Sequence, residues 1–374
     1  MFKKFGCLLT GEKDDGTGLT RMHAIKSNSK ELKEVIKEAI TSTVNQKILG
    51  IDEKGRITNA GNFGLPITIN QIIERSQKII RIIDVSGQEK YKKTFLRGLC
   101  SVYPDYALIL ISAKEEKSFQ WKEHLLIAID LNIPIIIVIT KIDQVNSLQL
   151  DKTISDVKSV LKIVSEKLSN KNPMIAHNRD DIVLYSKNMD IIIPIILISN
   201  VTLTGHDLLI NLFNILPINE IWKEYHKQLT QFRITRIHSD KQKILLFGII
   251  YRGQLTTKKN YVIGPFKNGE YKDIEIKSIY CMETPVNFAF AGQICSMQIN
   301  FLEKGGSSFH ADKLRTGMVI LDPKASIYST YYFEADIKSM DGLATIQKNY
   351  QPIINTQNIR QAAKIIGRVE RQKG

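Results

Sequence analysis

Ile133-Pro134-Ile135-Ile136-Ile137-Val138-Ile139-Thr140-Lys141-Ile142-Asp143 is the stretch on which the reading of the fold turns. Its apolar run is unbroken and β-branched, and it stops on a hydroxyl, a cation and an acid. A strand with one wet face alternates apolar and polar residues. A strand buried on both faces does not, and such strands belong to parallel sheets covered by helices. The run is far too short to cross a bilayer and carries Pro134, so the strand reading stands.

The neighbourhood repeats this texture. Lys78–Val85, Tyr106–Ser112 and Ile191–Ser199 read as further strands, and Lys90–Val102, Gln120–Leu131, Leu150–Ser169 and Gly205–Leu216 as amphipathic helices. Alternating strands and helices predict an α/β doubly wound sheet. Asn170–Lys187 lacks a pattern and reads as a surface insertion. Pro217–Tyr225, with Trp222, reads as an interdomain helix or linker.

Beyond Phe232 the texture changes. Phe232–His238, Lys243–Leu255, Asn260–Gly264, Tyr271–Tyr280, Val286–Ala289, Gln293–Ile299 and Met318–Asp322 are short strands separated by Gly, Asn and Lys turns. They predict an all-β barrel. A second all-β pattern opens near Tyr331 with Phe333–Lys338. Three domains are expected, at residues 1–218, 228–325 and 331–374.

The chain of 374 residues carries a formal net charge of +14. That excess favours acidic partners such as RNA, or else a solvated lysine surface. Cys7, Cys100, Cys281 and Cys295 form no C-x-x-C pair, so neither a zinc knuckle nor a disulfide framework is indicated. No segment has transmembrane length, and Met1–Thr10 has no signal-peptide core. A cytoplasmic monomer without membrane contact is the expectation.

Ligands of doubly wound sheets bind at the carboxyl ends of the strands. Three loops there carry chemistry. Asp84-Val85-Ser86-Gly87-Gln88 places an acid that can hold Mg²⁺ through water, a glycine whose N–H can approach a phosphate, and an amide that can orient water. By itself it reads as a turn. Thr140-Lys141-Ile142-Asp143 offers a carboxylate for the N1–H and N2–H₂ donors of guanine, with the Lys141 stem along the base. The competing reading is Asp143 as a helix N-cap. Ser199-Asn200-Val201-Thr202 offers backbone N–H groups to the guanine O6, or ordinary capping residues. Their order and their common position after strands favour a nucleotide site.

A phosphate cradle of the form G-x-x-x-x-G-K-[ST] does not occur. Gly6-Cys7-Leu8-Leu9-Thr10-Gly11-Glu12-Lys13 approaches it, but Glu12 intervenes and Asp14 replaces the hydroxyl.

With these residues in hand, the chain resembles the translational GTPases related to elongation factor Tu, in particular the GTP-binding protein one and two subfamily. The resemblance rests on Leu8–Glu12 with Asp15-Gly16, Thr41–Val44 with Ile48–Asp52, Ile83–Tyr91 with Thr94 and Arg97–Leu99, Tyr103–Ala107, Thr140–Asp143 and Ser199–Thr202. In the barrel it rests on Gly248, Gly253, Gly264-Pro265, Ala291-Gly292 and Leu314–Met318. It implies a P-loop-type G domain followed by a translation-factor barrel and the start of a second barrel. It also implies GTP and Mg²⁺ as ligands, and GTP hydrolysis coupled to a ribosome-, tRNA- or other RNA-associated step. Thr41, Ser42 and Thr43 become the first switch, with a hydroxyl, Thr43 by choice, on Mg²⁺; three adjacent hydroxyls are also compatible with a polar loop. Asp84 and Gly87 become the second switch, and Gln88 stands where the family usually has His. The resemblance sets Met1 at about the cradle lysine, so the first strand and cradle are expected outside this sequence, and the third domain is expected to be cut. Lys258-Lys259 and Arg368–Lys373 are candidate RNA phosphate contacts. The alternative function is a nucleotide-independent RNA- or protein-binding module, or an inactive fragment. An ATP-using enzyme is disfavoured by Asp143.

Overall fold

The computed structural model describes residues 45–59, 67–85, 95–96, 99–101, 103–114, 120–164, 171–239, 243–302, 311–327, 329–337, 347–356 and 359–367. Two compact units result. One comprises the chain up to Phe95 and again Pro104–Asn219; the other comprises Leu96–Tyr103 and the chain from Glu220.

In the first unit, β1 (Asn45–Ile51), α1 (Ile69–Arg75) and β2 (Lys78–Asp84) are followed by β3 (Ala107–Ser112), α2 (Gln120–Asp130), β4 (Ile135–Thr140) and α3 (Ser147–Ile163). Then come β5 (Asn172–Ile175), α4 (Arg179–Lys187), β6 (Ile192–Leu197) and α5 (His206–Ile215). β3, β4, β6 and β5 form a parallel sheet in that order. Every residue of β4 is buried. Side chains alternate across a strand. Ile135, Ile137 and Ile139 accordingly pack in one core with Leu125, Ala128, Val157 and Leu161 of α2 and α3. Ile136 and Val138 pack in the other with Ile182, Tyr185, Leu209 and Leu212 of α4 and α5. Two helical layers on one sheet explain why no polar residue interrupts the run.

Lys78–Asp84 is a strand, as expected, but its ladder is antiparallel to β1, from Asn45↔Asp84 to Ile51↔Lys78. Among the described residues no ladder joins β2 to β3. The Lys78 ammonium donates to the carbonyls of Asn214 (2.8 Å) and Leu216 (2.6 Å), and so ties this hairpin to the end of α5. Cations at helix C-termini meet unsatisfied carbonyls and the negative end of the dipole.

The expected insertion at Asn170–Lys187 is instead β5 and α4. The helix begins with a capping box, Asn178 accepting from Asp181 N–H while Asp181 accepts from the Asn178 N–H. It buries only Ile182, Tyr185 and Ser186. A helix this short has too few apolar positions to display a period.

The second unit opens with α6 (Ile221–Tyr225), whose Trp222 is buried in the barrel core. β7 (Gln231–Ser239), β8 (Ile244–Arg252), β10 (Asn260–Gly264), β11 (Lys272–Cys281), β14 (Ile294–Phe301) and β15 (Val319–Leu321) close into a six-stranded barrel, because β10 pairs with both β15 and β11. Burial alternates strictly along β14, as a barrel wall requires. The run expected at Lys243–Leu255 is divided at Gly253 (φ +72°), so that Gln254–Thr256 becomes β9 and pairs with β13 (Phe288–Phe290). The expected strand Val286–Ala289 is likewise shared between β12 (Thr284–Val286) and β13. Phe333–Lys338 is not a strand over its described residues 333–337. Tyr331, Tyr332 and Phe333 are exposed, and an extended segment with no partner ladder gains nothing from its β-propensity. A hairpin of β16 (Ile353–Thr356) and β17 (Ile359–Ala362) follows instead.

The corrected segment gives a direct check. Ile182→Ala removes a side chain with no exposure and should cost about 2–5 kcal/mol in denaturant unfolding. Leu184→Ala, at a half-exposed position of the same helix, should cost no more than about 0.5 kcal/mol. Equal costs would place the segment outside the core.

Candidate functional site

Parallel neighbours β4 and β6 deliver their carboxyl ends side by side, and the two following loops are joined by hydrogen bonds. Thr140 is buried and its hydroxyl donates to the Ile111 carbonyl (3.2 Å), which pins β4 to β3. Lys141 then takes a left-handed conformation (φ 62°, ψ 32°) and turns the chain off the sheet. Such a conformation is uncommon outside glycine and concentrates at functional turns. The short helical turn Ile142–Gln144 lifts Asp143 to the surface. Asp143 is not the cap of α3; Asn146 does that, accepting from Gln149 N–H at 2.9 Å. The competing N-cap reading of Asp143 therefore falls.

Ser199, after β6, has no exposure. Its hydroxyl donates to Asp143 Oδ1 at 2.6 Å and accepts from the N–H groups of Val201 (3.2 Å) and Thr202 (3.1 Å). Its own N–H donates to the Thr204 carbonyl at 3.0 Å. Ile198 N–H donates to Ile139 O (2.8 Å), continuing the β4–β6 register into the loops. Nor do Ser199 and Asn200 cap a helix. The cap position of α5 is Gly205, with φ +74°, where an added Cβ would lie 2.0 Å from the Leu197 carbonyl oxygen. Only glycine fits there.

Two of the open polar groups bear on a ligand. Asp143 Oδ2 accepts no hydrogen bond from the described residues, and the Asn200 N–H finds no acceptor among them. A fixed carboxylate beside a free N–H suits a purine edge carrying two adjacent N–H donors and a carbonyl. Ser112 Oγ, buried at the end of β3, also lacks a partner among the described residues.

The structure thus brings together Thr140, Lys141, Asp143, Ser199, Asn200 and Val201. Asp84 stands half-buried at the end of β2 in the same unit. Thr41, Ser42, Thr43, Gly87 and Gln88 lie outside the described residues, as does the Gly6–Lys13 stretch. Sequence reasoning missed His206. It is buried at the first position of α5, with Nε2 3.0 Å from Asn200 Oδ1. The available signal was its spacing to Leu209, Leu212 and Phe213 on the buried face of α5.

A doubly wound unit with paired loops of this kind, followed by a six-stranded barrel, is the architecture of a translation factor with a G domain. Residues 19–239 match the model of the elongation factor Tu GTP binding domain, and the chain belongs to that family. Among curated relatives it is 30% identical over 365 residues to GTP-binding protein 1 of Xenopus laevis, covering 96% of this chain and 53% of the relative. It is 29% identical over 367 residues to human GTP-binding protein 2, covering 96% and 58%. The chain therefore spans somewhat more than half the length of the curated relatives it matches. The fold is shared with translation elongation factor SelB of Methanococcus maripaludis in complex with the GTP analogue GPPNHP (TM-score 0.54, 20% identity, 76% of this chain and 55% of that chain). It is shared also with a bacterial selenocysteine-specific elongation factor (TM-score 0.52, 19% identity, 86% and 42%). No helix among the described residues is long and apolar enough to cross a membrane.

Ser199→Ala removes one donor and one shared acceptor from a buried position. It should destabilise the first unit by about 1–3 kcal/mol, measured by denaturant unfolding; an unchanged midpoint would show that the three bonds to this hydroxyl carry no load.

Burial lowers the pKa of His206, against the smaller opposing effect of the Asp207 carboxylate. The folded state then binds protons less readily than the unfolded chain. The stabilisation is complete above the ordinary value of 6.5 and is lost as pH falls from there through the lowered value. His206→Gln should remove this component. The test is the difference in unfolding free energy between wild type and variant from pH 8 to pH 5, expected to shrink towards acid.

Proposed function

We propose that the chain binds a guanine nucleotide at the ends of β4 and β6 and hydrolyses GTP in a cycle of the translation-factor kind. The observation that carries the reading is the Asp143 carboxylate, fixed by Ser199 with Oδ2 open, beside the free N–H of Asn200. In this reading Asp143 accepts from N1–H and N2–H₂ of guanine, and Asn200, with Val201 beside it, meets O6. Adenine offers neither pattern and would leave these groups unpaired, which is where discrimination comes from. The Lys141 stem packs along the base, and Thr140 holds the turn.

Asp84 is a hard oxygen donor of the type Mg²⁺ takes through water, and no cluster of three metal-binding side chains competes for a cation among the described residues. Mg²⁺ bound there with the Thr43 hydroxyl would neutralise phosphate charge. Gly87 would supply an N–H to the terminal phosphate, and Gln88 would orient the attacking water. Thr41 and Ser42 complete the first switch in this assignment.

The ribosome, a tRNA or another RNA is the proposed partner, supported by the +14 charge. Of the two barrel lysines assigned to RNA, Lys259 is engaged with Asp322 at 2.7 Å, so Lys258 carries the assignment better. A location in the cytoplasm accompanies this reading.

Titration of the chain with fluorescent GTP and ATP derivatives in Mg²⁺ should show guanine preference. Asp143→Asn should weaken guanine nucleotide binding by about two orders of magnitude and turn preference towards xanthine. An unchanged base preference in the variant would sink the assignment. RNA binding with no nucleotide binding would support the module reading instead.

A further inference from the structure

We infer that His206 is a positioning residue for base selectivity, acting through Asn200. The inference rests on the guanine-site reading and goes beyond it to a side chain that touches no nucleotide.

The loop's hydrogen bonds lead to it. Between Ser199 and His206, Val201 and Thr202 spend their N–H groups on Ser199 Oγ, Ser199 N–H goes to Thr204 O, and His206 N–H goes to Leu203 O at 3.3 Å. Thr202 and Thr204 join hydroxyls at 2.8 Å. Of the loop N–H groups that find no acceptor among the described residues, that of Asn200 directly follows the fixed Ser199 and is the one assigned to a base carbonyl. That peptide sits between Ser199, which is fixed, and Asn200, whose side chain is anchored on the ring of His206. A side chain held at its amide end restricts the rotation of its own backbone, so the ring sets where the open N–H is presented.

His206 shares the buried set of α5 with the apolar Leu209, Leu212 and Phe213. An imidazole there costs desolvation, and its Nε2 makes a directional hydrogen bond with Asn200. With Asn200 Oδ1 as acceptor, the proton sits on Nε2 of a neutral ring, and burial, which lowers the ring's pKa, keeps it neutral near pH 7. The rigid ring ends within α5, so the loop is referenced to a helix rather than to another loop. First-contact groups placed by a second layer of packed side chains gain their precision in this way.

The test compares the wild-type chain with His206→Leu, His206→Gln and Asn200→Ala. The probes are GDP, inosine diphosphate and 6-thioguanosine diphosphate. Inosine lacks the 2-amino group and reports on Asp143; the thio analogue keeps both N–H donors and weakens the acceptor at position 6. His206→Leu should lower the GDP over 6-thio-GDP discrimination several-fold and leave GDP over inosine diphosphate unchanged. His206→Gln, whose amide can reach the same partner, should restore it. Asn200→Ala cuts the same bond from the exposed side and should match the leucine variant even where that variant folds poorly. Equal falls in both ratios, or no fall in the first, would overturn the inference. Wild type without preference for GDP over ADP would instead break the base-site reading. The positioning claim is then decided in the nucleotide-free chain by amide exchange at Asn200, Val201 and Thr202. About tenfold faster exchange in His206→Leu, reversed in His206→Gln, upholds it, and unchanged exchange defeats it.

Discussion

One buried hydroxyl, Ser199 Oγ, holds the site together. It donates to a carboxylate at 2.6 Å and accepts from two backbone N–H groups. A charge-assisted bond of this length contributes about 1.5–3 kcal/mol where it is shielded from water. Its geometry is inherited from the sheet. β4 and β6 run parallel and adjacent, with Ile139 opposite Leu197, so residues two to four places beyond each strand end are neighbours without any long loop to close. The isoleucines that fix this adjacency are buried on both faces. Core packing and the geometry of the Asp143–Ser199 corner are thus the same constraint seen at two levels.

The barrel solves a different problem with a buried cation. Arg233 is 3% exposed, and burial pulls its guanidinium pKa down. No carboxylate faces it in an ion pair among the described residues; its guanidinium lies 3.3 Å from the Tyr251 ring centroid and 4.8 Å from that of Tyr103. Aromatic faces supply part of what water supplied, at about 2 kcal/mol or more for a desolvated pair. Nε and Nη1 still lack hydrogen-bond partners. The cluster extends to Arg252, which lies near the Tyr225 and Tyr251 rings. This cluster around Arg233 and Arg252 is held by cation–π contacts.

What the sequence disclosed follows from how many faces of an element are buried. β4 and β6 have two, so their apolar runs are continuous and were legible. α4 buries a narrow stripe ending in Tyr185 and Ser186, and its segment read as a polar insertion. The single run Lys243–Leu255 hid a break, because the left-handed turn at Gly253 divides two strands that are both apolar. In the site, the order of Asp143 and Ser199 was visible, but the bond between them spans 56 positions and no local pattern encodes it. His206 escaped for a related reason. A histidine in an apolar stripe looks like a surface residue until its partner, six positions earlier, is seen.

The corner formed by the loops after β4 and β6 is also self-contained. Thr140 is anchored on Ile111, Asp143 on Ser199, Ser199 on Thr204, and Asn200 on His206. Each bond arises within the parallel sheet, its connecting turns or the start of α5. A corner built this way would spend little binding energy on arranging protein groups for a ligand of the proposed kind. The strained Lys141 turn and the close approach at Gly205 are the local costs of that order, and the two-sided isoleucine core is what offsets them.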